Sequence, residues 1–450
     1  MNTILLLIGL LGLLVFGYQA SGRSISSPII LFLSPFVIAI SFGLIFFYSD
    51  WDYNFSIQTV FVVLGSAVAF TLTCCLIHWI FNGRSFQRTR PPQQEPRSET
   101  VVRQIFPDAV YWIFIGTQVG LIFYLFNYER NIVAQYGYGS SILEVANGFN
   151  ALTKFSGVDE DFISGLASPA FGIMDALQVF AASSLAREII SKGRNFSKLA
   201  LANVALSAVY SLLGGGRTGL VGLTFMTLIF LVIFGYKNGT ILSILHLKTK
   251  YIVISLLGVI FFLIIFYYAL ALMGRSVEFN FLNYIGIYLA APFKNFDIMM
   301  ESQPQVSSLF GEYTFSGVYS ILSHFMNLDQ SLMPTFTLPF VFYNGQSLGN
   351  VYTIFRALVL DFGIPGCIAA ITVMSVISQL IYEKAMRNQE NHHFNFFMLI
   401  YGVVSFNIVM SFFSHNFFQN LFSAGFVKQF LIILLLSTLY NYAVDRRGMK

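Results

Sequence analysis

The chain reads as an all-α, polytopic integral membrane protein with about 11 transmembrane helices. Three observations predict this. Hydrophobic residues make up 56% of the 450 and charged residues only 10%, with a mean hydropathy of +0.71; an average soluble chain is about 25% charged. The apolar residues come in runs long enough, at about 1.5 Å per helical residue, to cross a hydrocarbon core of roughly 30 Å. Basic residues gather at alternate ends of successive runs, the arrangement the positive-inside rule expects.

Taken in order, the spans are 2–18, 28–48, 60–81, 109–128, 169–187, 199–214, 218–236, 251–273, 357–382, 394–413 and 421–443. No small-residue cleavage site follows the first, so it reads as a retained helix and not a signal peptide. The third leads into 82–107, where Arg84, Arg88, Arg90, Arg97 and Arg103 outnumber Glu95 and Glu99 around a Pro-rich centre. That segment reads as a flexible basic cytoplasmic loop. The sixth and seventh spans come from one apolar stretch, 201–236, interrupted by GGGRTG (Gly214 to Gly219). As a single helix it would be roughly 54 Å long, too long for a bilayer, so it folds back at the glycines.

Two segments between spans are long, 129–168 and 274–356. The second contains apolar pieces at 281–293, 314–328 and 332–343, which read as interfacial or re-entrant helices. Counting them raises the helix total to about 12–14. Fifty phenylalanines and 23 tyrosines suit lipid-facing surfaces and interfacial belts. Cys74, Cys75 and Cys367 all fall inside spans and give neither a disulfide framework nor a zinc spacing. No internal repeat is visible, and the whole chain reads as one transmembrane domain.

Placing 82–107 in the cytoplasm fixes the orientation. Inner segments then carry 18 Lys and Arg against 7 Asp and Glu, and outer segments 6 against 12. This puts the N-terminus outside, the C-terminus inside, and both long segments on the outer, periplasmic face.

The outer face holds four arginines, Arg130, Arg217, Arg275 and Arg356, three of them at span ends. An arginine offers a planar fork of donors that suits phosphate and carboxylate groups. Arg217 and Arg356 sit at helix N-termini, where backbone N–H groups and the helix dipole also favour an anion. Gly216 beside Arg217 permits close approach of an anion to the backbone. Three charged residues fall inside spans: Asp175, which reads as a packing or capping residue, Asp361 and Lys428. A carboxylate in a span is costly unless paired, so Asp361 is a candidate base or acceptor-positioning group. His324 and His415 are candidate bases on the outer side. Asp159–Glu160–Asp161 reads as a helix cap, not as a metal-binding DxD motif. There is no nucleotide-binding or zinc-protease motif, and neither a metal nor a cofactor is expected.

Three stretches, GGGRTGL (214–220), YLAAPFKNFD (288–297) and NVYTIFRALVLDFGIPG (350–366), resemble in residues and order the Wzy-type oligosaccharide repeat unit polymerases, the O-antigen polymerase family. The resemblance implies a GT-C-like polymerase/ligase architecture and a metal-independent glycosyltransferase of a bacterial inner membrane. It implies undecaprenyl-pyrophosphate-linked glycan as donor and acceptor, surrounding membrane lipids, a chain-length regulator protein as partner, and no nucleic acid. By the same resemblance Arg217, in its GRT motif with Gly216 and Thr218, and Arg356 match the family's arginines, Asn350 and Tyr352 contact sugar, and Asp361 matches the family's aspartate; Arg275 and Lys428, by their place at the outer side, are further candidates to bind the pyrophosphate. Two other functions fit the same layout less closely. An O-antigen ligase would keep His324 as its loop histidine. A lipid-linked oligosaccharide flippase would be expected to show symmetric halves and a polar path at mid-membrane, neither of which is legible here.

Overall fold

The computed structural model describes residues 1–82, 106–155, 165–237, 281–326, 338–387 and 394–448. In chain order the helices are α1 (Asn2–Ala20), α2 (Pro28–Phe46), α3 (Ile57–Asn82), α4 (Asp108–Gln135), α5 (Ile142–Phe155), α6 (Ala167–Lys192), α7 (Lys198–Leu213) and α8 (Thr218–Lys237). After these come α9 (Phe281–Leu289), α10 (Ala291–Glu301) and α11 (Ser316–Met326), then strands β1 (Val341–Tyr343) and β2 (Gln346–Gly349). The chain ends with α12 (Phe355–Met386), α13 (Phe396–Val409), α14 (Asn416–Leu421) and α15 (Ala424–Gly448).

Eight of these helices, α1 to α4, α6, α8, α12 and α15, are long and apolar enough to cross a membrane, and α7 and the run Phe396–Phe412 are shorter apolar helices. They are the helices of an all-α multi-pass membrane protein. The run 251–273 with Arg275, the centre of the basic loop, Asp159–Asp161, the end of the apolar piece at 314–328 and the start of the one at 332–343, up to residue 337, lie outside the described residues.

Sequence and structure differ in three places. First, the long segment 274–356 has helices where its first two apolar pieces predict them, but the third piece ends in a strand and not in a helix. The segment builds α9, α10, α11 and an antiparallel hairpin, β1 with β2. Asn344 (φ 48°) and Gly345 (φ 75°) make the hairpin's left-handed two-residue turn, a conformation Asn-Gly adopts readily. Second, α4 continues to Gln135 and α6 to Lys192, beyond the predicted ends. This buries Arg187, at the end of the predicted span, and Glu188, just beyond it. Third, α12 is broken. Gly363 stands at φ 65°, ψ −177° inside it, with Pro365 just after. A proline cannot donate to the helix ladder and its ring crowds the preceding turn, while glycine tolerates the left-handed φ. The stretch DFGIPG therefore splits the predicted single span 357–382 into two.

The chain forms two compact units. The first comprises Met1–Arg88, Glu278–Glu383 and Asn407–Ser423; the second comprises Thr89–Val277, Lys384–Phe406 and Ala424–Lys450. In the first unit the core is aromatic. Phe32 stacks on Phe70 at 4.3 Å, and Phe36 meets Phe293 and Phe355 edge-on at 5.4 and 5.6 Å, joining α2, α3, α10 and α12. Above it, the α2–α3 connection and the hairpin are fastened to α10. Trp51 stacks on Phe47 at 3.9 Å and its indole N–H donates to Gln346 Oε1 at 3.1 Å. Lys294 is 3% exposed and donates to the Asp52 carbonyl at 2.9 Å, with Asp297 3.8 Å away. Asp297 accepts the Ser56 N–H at 2.8 Å, and Asn295 donates to the carbonyls of Leu348 and Val351. The KNFD stretch is thus the joint that fixes the hairpin and the connection.

In the second unit α6 is the central helix. Small residues along it, among them Ala176, Ala181, Ala182 and Ala186, are buried, and small side chains let apolar helices approach closely. Side-chain hydrogen bonds link the spans: Gln118 to Ser207 (3.0 Å), Gln178 to Ser211 (3.1 Å) and Tyr210 to Asp175 (3.1 Å). So polar contacts do occur within the apolar spans. The guanidinium of Arg187 lies over the rings of Phe394 (4.7 Å) and Phe234 (5.1 Å). Glu188 accepts from the Tyr111 hydroxyl (3.1 Å) and the Ser197 N–H (2.7 Å).

Candidate functional site

The first unit brings several of the sequence's candidates to the N-terminal half of α12. Apolar side chains bury most of this half-helix; Phe355, Ala357, Leu358 and Val359 are all 5% exposed or less. Arg356 lies in the first turn and is half-buried. Its guanidinium carbon sits 4.8 Å from the centre of the Tyr352 ring and 5.5 Å from that of Tyr313. Guanidinium groups favour such stacking because the ring's electron-rich face meets a weakly hydrated cation. A guanidinium whose face meets a ring can still take an oxyanion in the plane of its fork, with two bonds at once. Nε is buried without a hydrogen-bond partner.

The half-helix ends at the break, and the chain before α11 fills the gap. Residues 303–315 run across it as a strap. The Ser307 N–H donates to the Leu360 carbonyl at 2.7 Å, one of the groups a broken helix leaves without a partner in its own ladder. Asp361 accepts the N–H of Tyr313 at 3.1 Å and of Thr314 at 2.6 Å. The aspartate therefore holds the strap, and through it the Tyr313 ring beside Arg356. Both its oxygens are engaged by main-chain donors, so its geometry is that of a positioning group and not of a base.

His415 precedes the short helix α14. Its Nε2 faces the Thr314 carbonyl at 3.4 Å. Burial pushes its pKa down to about 4, outweighing the carbonyls of Thr314 and Ile354, which favour the protonated ring. A ring of that pKa is neutral near pH 7 and a weak proton acceptor, so it too braces the strap. His324 lies in α11, and its side chain is outside the described residues. Tyr352 donates its hydroxyl to the Pro339 carbonyl at 3.0 Å, and burial raises its pKa against the opposing effect of Arg356. Asn350 is half-buried between β2 and α12.

The other candidates belong to the second unit. Gly215 has φ 63°, and a Cβ on it would stand 2.0 Å from the Ala146 carbonyl of α5. The glycine turn is thus docked against the buried face of an amphipathic helix, with Asn150 beside Gly216. Arg217, half-buried, leads into α8, where Thr218 is exposed. Lys428 of α15 hydrogen-bonds Ser168 of α6, so it links two helices. Arg130 is exposed on α4.

Sequence reasoning missed the strap. Ser307, Glu312 and Tyr313 sit in a stretch with no periodicity, and the one local signal is Gly-Glu-Tyr-Thr immediately before a helix start. Among the described residues no cluster of three or more His, Cys, Asp or Glu is placed to hold a metal ion. In comparisons with known proteins, the chain matches no family model, no curated protein and no solved structure.

Proposed function

We propose that this chain is an oligosaccharide repeat unit polymerase, joining undecaprenyl-pyrophosphate-linked repeat units into O-antigen or a related surface polysaccharide. It works at the periplasmic face of a bacterial inner membrane, with its N-terminus periplasmic and its C-terminus cytoplasmic. The observation that carries this reading is Arg356: a guanidinium against two tyrosine rings at the start of a broken apolar helix, with a buried Nε that has no hydrogen-bond partner. Breaking the bond between the anomeric carbon and the carrier leaves a diphosphate, and a placed guanidinium stabilises the charge that develops there. The resemblance of 350–366 to the family's third motif supports the same assignment. No cofactor is involved in this reaction.

The test is glycan length in a strain lacking the gene and complemented with variants. Arg356→Ala should insert normally and reduce long-chain glycan to single repeats, a loss of about 100-fold or more in rate by the usual effect of removing one such donor. Arg356→Lys should rescue poorly, because lysine is a point charge and not a fork. Normal chain length in both variants would overturn the role of Arg356. The deletion strain itself discriminates among the alternatives. Core carrying one repeat indicates a polymerase, bare core a ligase, and repeat units trapped on the cytoplasmic side a flippase.

A further inference from the structure

A transfer to a sugar hydroxyl needs a proton acceptor as well as a grip on the leaving group. Two of the three groups the sequence offered fit that task poorly, and the side chain of the third, His324, lies outside the described residues. Asp361 is occupied by two main-chain N–H groups. His415 is enclosed and braces the Thr314 carbonyl.

The strap itself supplies a fourth. Glu312 directly precedes Tyr313, whose ring stands beside Arg356. It is half-buried and makes no ion pair among the described residues. One carboxylate oxygen, Oε2, accepts from the Ser307 hydroxyl. Ser307 is itself fixed, since its N–H is bonded to Leu360 and its Oγ accepts the Leu309 N–H at 3.2 Å. Glu312 is thus a carboxylate with a built orienting partner, on a segment tied at 307 and at 313–314 to the half-helix that carries Arg356. A base oriented by a second fixed group is the arrangement that acid–base catalysis uses repeatedly.

We infer that Glu312 is the base that deprotonates the acceptor hydroxyl, with Ser307 as its positioning residue; this rests on the polymerase reading. In the step, the acceptor oxygen forms a bond to the anomeric carbon as the bond from that carbon to the diphosphate oxygen breaks. The diphosphate leaves with the bonding electron pair and its charge is met by Arg356. The hydroxyl proton passes to the Glu312 carboxylate, which becomes the neutral acid and returns the proton to water.

The experiment uses the purified full-length chain in lipid nanodiscs, with lipid-linked repeat unit extracted from the deletion strain as substrate. Farnesyl diphosphate serves as a binding probe read by thermal shift. Glu312→Ala should lose at least about 100-fold in chain extension while keeping its farnesyl diphosphate shift, and sodium formate should restore several-fold of the lost rate by supplying a carboxylate. Glu312→Gln should be equally slow without formate rescue, because its side chain fills the space. Ser307→Ala should retain part of the activity and lower kcat more than it raises KM.

Extension by Glu312→Ala or Glu312→Gln within threefold of wild type overturns the role of Glu312 and leaves the polymerase reading standing. So does activity lost in every variant together with the farnesyl diphosphate shift, since that marks a structural part only. A wild-type chain that binds the probe and forms no new glycosidic bond overturns both.

Discussion

Asp361 and His415 are the two side chains whose role the structure redefines. Both are potential proton carriers by residue type, and both hold the strap in place instead. Asp361→Asn keeps one carbonyl oxygen but sets an amide NH₂ against a main-chain N–H. Losing one such acceptor costs about 1–3 kcal/mol locally. Hydrogen exchange at residues 307–315 should quicken while the rest of the first unit is unchanged; unchanged exchange there would show that the carboxylate does not hold the strap. His415 makes a different prediction. The unfolded ring takes up its proton near pH 6.5 and the folded one near 4, so the unfolded chain binds more protons in between. Stability should therefore fall as pH drops from about 6.5 towards 4, by up to about 3 kcal/mol. Thermal melting in detergent should show His415→Gln losing that part of the acid sensitivity. Neither role was legible from the sequence, because each depends on main-chain groups some 50 or 100 residues away whose position no local pattern encodes.

Among the elements, the long apolar helices were the readable part. Each is an uninterrupted run whose length and hydropathy alone exclude other placements, which is why ten of the predicted spans reappear as helices. The break in α12 was written in the sequence as Gly363 and Pro365 but hidden by the apolar residues around them. The hairpin was announced only by Asn344–Gly345, inside a segment whose apolar pieces read as interfacial helices. Its attachment to α10 gives a test. Lys294 is buried against Asp297 and the Asp52 carbonyl. Replacing it with methionine leaves a buried carboxylate without its cation, a change that typically costs about 3–5 kcal/mol. Lys294→Met should melt well below wild type, and adding Asp297→Asn should recover part of the loss because the amide still accepts from Ser56 without a charge. Equal melting of wild type and Lys294→Met would show that the pair contributes nothing to holding the hairpin.

For the molecule as a whole, the imbalance of Lys and Arg between alternate segments sets the proposed topology. Reporter fusions should place 82–107, the end of α8 and the C-terminus in the cytoplasm, and 129–168, the hairpin and the strap outside. Inverted reporters would put Arg356 and Glu312 on the wrong side for an extracytoplasmic transferase. The strap carries a further consequence at this scale. Its moorings at 307, 313 and 314 use backbone amides, and an amide is the same in every residue except proline. Mutation can therefore rewrite Val306, Leu309 or Phe310 without untying it, and drift there should run fast while the loop's path stays put. Distant kin of this protein should share that path long after spelling similarity has faded, with any residue except proline at the positions of 307, 313 and 314.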